Sequence, residues 1–293
     1  MARKKVFGNC RICGIYTKLS FEHVPPEAAF NNHRVVGKHI FELINKDPDY
    51  YFDGKGHISQ RGAGAYTLCE KCNNDTGAWY GDAFANFAHQ SLYILKHAKG
   101  RPSLYYPFRI YPLRVIKQII TMFFSINKDQ FRFSHPDLVK FVLNKNERYL
   151  SPDIRILVYF TLGPHARYVG GTSISAIEVN PDEISRDMLD DMLNQYQRDY
   201  PKSLYSSEIA FPPLGYVLSF GLEPLDNELT DISFFARYPY GDWTSLHLKL
   251  PVNPVNTWYP GDYRSKEQIR NNFEENTQIE KEIQKRKQAE KNQ

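Results

Sequence analysis

The sequence predicts an α+β fold, and three observations point to it. The four cysteines fall into two pairs of identical spacing, Cys10-Arg11-Ile12-Cys13 and Cys69-Glu70-Lys71-Cys72, with none left over. After the second pair, Trp79-Tyr80, Ala83-Phe84, Phe87-Ala88 and Leu92-Leu95 recur at spacings of three and four, the period of a helix with one buried face. Beyond Pro112, strand-like runs alternate with helix-like ones between glycine and proline turns. The expected organisation is a small N-terminal module over residues 1–100, an α+β domain of unassigned topology over 101–263, and a charged helical or disordered tail over 264–293.

The cysteine pairs read as one closed metal site. Four soft thiolates at Cys10, Cys13, Cys69 and Cys72 satisfy a tetrahedral Zn²⁺ and leave it no open position, so the zinc is expected to be structural. Residues 15–23 alternate as a strand through Tyr16, Leu19 and Phe21, and Pro25-Pro26 stops it. An insertion follows over 27–64, its second half rich in glycine (Gly54, Gly56, Gly62, Gly64) and expected to form a loop. Residues 65–68 form a short strand into the second cysteine pair, and a helix is expected from Asn73 until Gly100-Arg101-Pro102. Asp75 or Asn73 is the expected helix cap, and Gly77 is expected to let the helix pack closely on the strands.

In the second domain, residues 113–127 and 136–143 are expected helices, and 154–162 and 168–179 expected strands. A helix over 181–196 opens on Asn180 as cap, with Asp182 and Glu183 in its first turn. Strands are expected at 214–220, 232–238 and 245–250. The tail is charged throughout, with Ile269, Phe273, Ile279 and Ile283 as its apolar residues.

Bulk properties narrow the classes of function. At 293 residues, with 42% hydrophobic and 14% aromatic content, the chain can build real cores. No apolar leader precedes Cys10, and the most apolar run, 115–126, is too short to span a bilayer, which implies a cytoplasmic protein with no membrane partner. Residues 1–100 carry 13 Lys+Arg against 9 Asp+Glu, so the whole net charge of +4 lies with the cysteines. That surplus permits a phosphate-binding face there. No internal repeat and no phosphate-cradling glycine motif is present.

Between the cysteine pairs lies Glu22-His23-Val24-Pro25-Pro26, and Asn73-Asn74 follows Cys72 directly. This order of parts resembles the HNH (ββα-metal, His-Me finger) endonucleases, closest to the subgroup typified by phage recombination endonuclease VII, with Glu22 standing where that enzyme has Asp. The resemblance covers about the first third of the chain. It implies a two-stranded ribbon backed by a helix, with His23 as general base and Glu22 and Asn73 as ligands of a catalytic Mg²⁺ or Mn²⁺. An imidazole suits that role because its ordinary pKa lies near 6.5. An oxygen-only ligand pair suits such a cation. Asn74 at the helix start, and Arg61 and His57 in the glycine-rich loop, are candidate contacts to the phosphate. The implied activity is hydrolysis of phosphodiester bonds in DNA, with RNA an open alternative because the site reads phosphates. A role in restriction or phage defence follows by resemblance. A double-strand cut would call for a homodimer. The competing expectation is a zinc-stabilised nucleic-acid-binding module that has lost cleavage.

Overall fold

The computed structural model describes residues 5–37, 57–97, 101–161, 166–173, 205–221 and 229–252. The chain divides into two compact units, one of residues 1–32 with 64–261, the other of 33–63 with 262–293. The mixture of helix and antiparallel sheet is the expected α+β class. The expected helix at 181–196 and the charged tail at 264–293 lie outside the described residues.

The first unit begins with a three-stranded antiparallel sheet in the order β1 (Phe7–Asn9), β2 (Tyr16–His23), β5 (Gly64–Cys69). Helix α1 (Glu70–Thr76) leaves the last strand at once, passes through a π-helical turn at Gly77–Gly81, and continues as α2 (Asp82–Leu95). The helix therefore starts earlier than Asn73. Its cap is Cys69, whose Sγ accepts the Cys72 N–H, and neither Asn73 nor Asp75 takes that role. Asp75 instead pairs with Lys71 one turn back, at 2.5 Å. Gly77 is also corrected: a Cβ added there meets nothing within 4 Å, so close packing does not require it.

The aromatic stripe does form a buried face. Tyr80, Phe84 and Phe87 are almost wholly enclosed, with Phe87 against Phe108 at 5.2 Å and Phe84 against Tyr216 at 5.8 Å between ring centroids. Those partners lie beyond residue 100, in β6 (Ser103–Ile110) and β10 (Leu214–Phe220). One hydrophobic core thus runs from Cys10 to Leu250. At its centre is α3 (Pro112–Ile126), buried nearly all round, as expected of an interior helix. No helix among the described residues is long and apolar enough to cross a membrane.

Two short helices, α4 (Gln130–Ser134) and α5 (Pro136–Leu143), follow α3. A five-stranded antiparallel sheet packs on α3 in the order β11 (Thr230–Asp231), β7 (Ile154–Phe160), β10, β9 (Tyr205–Phe211), β8 (Arg167–Ser173). β12 (Thr244–Pro251) pairs with β6 as a separate ribbon. The expected strand over 232–238 is instead a 3₁₀ helix, Ser233–Arg237. The cause is local: the Asp231 carboxylate accepts the Ser233 N–H at 2.8 Å and pairs with Arg155 at 2.6 Å, which turns the chain out of the strand after two residues.

In the second unit, β3 (Val35–Gly37) pairs antiparallel with β4 (His57–Ser59), and Ser59 Oγ donates to the Gly62 carbonyl at 2.7 Å.

Candidate metal and catalytic site

The two cysteine knuckles come together as their spacing requires. All four Sγ atoms lie within 4.8 Å of one another, and Cys13 and Cys69 are 3.8 Å apart. A tetrahedron of sulfurs about 2.3 Å from a zinc ion has edges of about 3.8 Å, so the cluster is compatible with structural zinc. Gly14 closes the first knuckle with φ +78°, a conformation that side chains resist, while its N–H donates to the Cys10 carbonyl. The Arg132 guanidinium covers that glycine, 2.3 Å from where a Cβ would stand.

The thiols of the cluster oppose one another's ionisation. A hydrogen bond from Cys72, helped by backbone N–H groups, holds the Cys10 thiol well below its ordinary range. The same bond, seen from its donor, drives the Cys72 thiol far above its ordinary range, with burial adding to it. Burial raises Cys13 as well. Four sulfurs this close cannot all ionise unaided, and a dication removes the conflict. Arg11, between the first two cysteines, donates from Nη1 to the Ser125 carbonyl in the last turn of α3 at 2.5 Å, which ties the knuckle to the central helix.

The second group of residues sits one strand-end away. A bulge at Ser20/Phe21 leaves Thr67 of β5 without a partner in β2, and its carbonyl accepts the Arg11 N–H at 3.0 Å. Past the bulge, Glu22 pairs with Ala65 and His23 with Gly64. Gly64 has to be glycine here: a Cβ would lie 2.1 Å from the Glu22 carbonyl oxygen.

Alternation along β2 puts Ser20 and Glu22 on the face toward α1. Asn73 reaches that face, and its Nδ2 donates to Ser20 Oγ at 3.0 Å and to the Phe21 carbonyl at 3.3 Å. Ser20 Oγ in turn donates to the Leu68 carbonyl at 3.0 Å. With its nitrogen so committed, Asn73 Oδ1 accepts no hydrogen bond among the described residues. Glu22 is only 6% exposed as a residue, and its carboxyl meets no donor or cation among the described residues and is pushed up to about 8 by burial. Glu22 thus shares the face of Ser20, the residue that Asn73 holds, and it is a buried carboxyl without a donor among the described residues.

His23 ends the strand on the other face, its ring edge-on to Phe21 at 5.0 Å. The segment after it is firmly held. Tyr168 of β8 donates its hydroxyl to the Val24 carbonyl at 2.6 Å, Asn31 Nδ2 donates to the Pro25 carbonyl at 2.7 Å, and Phe30 stacks on His89 of α2 at 4.6 Å. Phe30 does so with φ at +70°, a strained conformation for an aromatic residue. Sequence reasoning missed Ser20 and Tyr168. Ser20 alone had a signal, its position two residues before Glu22.

Of the remaining candidates, Asn74 is exposed within α1. The helix start lies at residues 70–72, so Asn74 is not one of the residues with free N–H groups. His57 begins β4, and Arg61 lies in the turn after it, both in the second unit. Comparison with protein-family models, curated proteins and solved structures finds no match.

Proposed function

We propose that the chain is a divalent-metal-dependent endonuclease that hydrolyses phosphodiester bonds in DNA. The observation that carries this reading is Glu22: a buried carboxyl with no donor among the described residues, on the strand whose Ser20 and Phe21 hold the Asn73 amide of the following helix. Glu22 and Asn73 would hold Mg²⁺ or Mn²⁺. Such an ion, when bound, stabilises negative charge on a phosphate under attack and on the departing oxygen. His23 accepts the proton of the attacking water, which adds to phosphorus in line and releases the 3′ oxygen. The cysteine cluster does no chemistry in this scheme. It fixes Cys72, and so the adjoining Asn73, against β2.

One observation favours the competing reading of a binding module without cleavage: His23 shares the face of Phe21, while Glu22 turns toward α1. Plasmid nicking with Mg²⁺ or Mn²⁺ separates the two. Wild type is expected to nick, and His23→Ala to lose at least about 100-fold while keeping its zinc. If wild type binds DNA but nicks it with neither ion, the enzyme reading is lost.

A further inference from the structure

Away from Glu22 and the cysteines, the β6/β12 ribbon has two faces that differ in kind. Leu104, Phe108 and Ile110 of one strand and Leu248 and Leu250 of the other turn into the core. The opposite face is exposed, and the register pairs Tyr105 with Lys249, Pro107 with His247 and Arg109 with Ser245 across it. The Tyr105 ring is 64% exposed and lies over the His247 ring at 5.5 Å and 24° between planes. Just past the paired residues, Trp243, 47% exposed, meets Tyr111 with centroids 4.8 Å apart. The Arg114 guanidinium lies 4.2 Å from the Tyr111 ring centroid. Neither strand contains an acidic residue.

We propose that this face binds a single strand of nucleic acid, with bases stacked on Tyr105 and Trp243 and phosphates at Lys249, Arg109 and His247. Successive positions on one face of a strand are about 6.7 Å apart, so Tyr105 and the Tyr111–Trp243 pair stand about 20 Å apart, with His247 and Arg109 between them and Lys249 opposite Tyr105. Exposed flat rings accept any unpaired base, and the cations of the two strands complement a polyanion, with Asp242, next to Trp243, the acid adjoining the surface in sequence. A duplex offers its phosphates but hides its base faces, which is why the rings select a single strand. The ribbon is also rigidly mounted. Gln90 of α2 donates from Nε2 to the Arg109 carbonyl at 2.7 Å and accepts the Arg109 N–H at 2.9 Å, pinning the ribbon edge to the helix that continues from Asn73.

The proposal deepens the nuclease reading by giving it a strand-binding surface, yet binding is measurable without cleavage. The test is fluorescence anisotropy of the full chain with a labelled mixed-sequence oligonucleotide and its duplex, without added divalent ion. The single strand is expected to bind more tightly than the duplex. Tyr105→Ala and Trp243→Ala should each weaken it about tenfold, while Tyr105→Phe, which keeps the ring, should bind as wild type. Neutralising Arg109 and Lys249 together as glutamines should reduce the log–log salt slope by about 1.4. Duplex binding at or above the single strand, or alanine variants that bind as wild type, would overturn the proposal. A chain that nicks plasmid but ignores single strands sinks the ribbon surface and leaves the nuclease reading standing. One that binds through Tyr105 and never nicks supports the surface and removes the nuclease.

Discussion

Two buried ionisable side chains in this molecule are treated in opposite ways. Lys117, in the middle of α3, is 0% exposed, and its Nζ donates to the Phe141 carbonyl and to the Asn144 carbonyl, the latter at 3.0 Å, with the Phe141 ring 3.7 Å away. Glu22 is almost as enclosed and receives no donor among the described residues. Burial drives both toward neutrality, Lys117 down to about 7 and Glu22 up to about 8. A neutral amine can still donate to its two carbonyls, so Lys117 is satisfied in either state. A neutral Glu22 still lacks a partner. That contrast is why the proposed cation is assigned to Glu22 and not to Lys117.

The cysteine cluster is the extreme of that logic, and disturbing it should have the largest effect. Cys69→Ser removes a ligand and the α1 cap together. Because structural zinc contributes about 10–16 kcal/mol to folding in small domains, the variant should lose bound zinc and its cooperative melting transition. Metal analysis and calorimetry check this, and a variant melting like wild type with no zinc would separate the cysteines from metal altogether. Glu22→Gln should act on function and spare stability. It removes a buried acid that has no protein partner, so the melting temperature should hold or rise, while nicking falls about 1,000-fold, or about 4 kcal/mol in the barrier. A fall in melting temperature instead would mean that Glu22 has a structural partner, and the contrast with Lys117 would fail.

How much of this was legible follows from how local each signal is. The cysteine spacing is a local geometric demand, and the helix stripe at Tyr80, Phe84 and Phe87 is a local period, so both read correctly. β6 is hidden because Pro107 sits inside it, where a proline argues against a strand. β9 is hidden because Ser206, Ser207 and Glu208 are buried rather than exposed, which erases the alternation of polar and apolar residues. Glu208 tolerates this because Tyr159 donates its hydroxyl to it at 2.6 Å, and Ser207 because it donates to Asn127 Oδ1 at 3.1 Å. Glu22 and Asn73 were paired only by resemblance, whereas the hydrogen bond that ties Asn73 to Ser20 of the same strand required the fold. Sequence pattern finds elements whose faces differ in polarity. It misses those where tertiary partners supply what solvent would have.

The last test is also the most discriminating one for the contrast, because it concerns a group whose needs the protein meets itself. Lys117 has its folded pKa depressed to about 7. In the unfolded chain a lysine titrates near 10.4. Between those values the unfolded state holds one proton more than the folded state, so stability rises with pH, at up to about 1.4 kcal/mol per unit. Below about pH 7 both states are protonated and this contribution is flat. Lys117→Met keeps most of the packing volume and removes the titration. The difference in unfolding free energy, wild type minus variant, should therefore climb from about pH 7 toward pH 10 and level off on the acid side. Denaturant unfolding of both proteins across that range measures it. A flat difference would mean that the carbonyls of Phe141 and Asn144 hold the ammonium charged, outweighing its burial. Lys117 would then be a fully solvated charge in all but position, and Glu22 would stand even more alone.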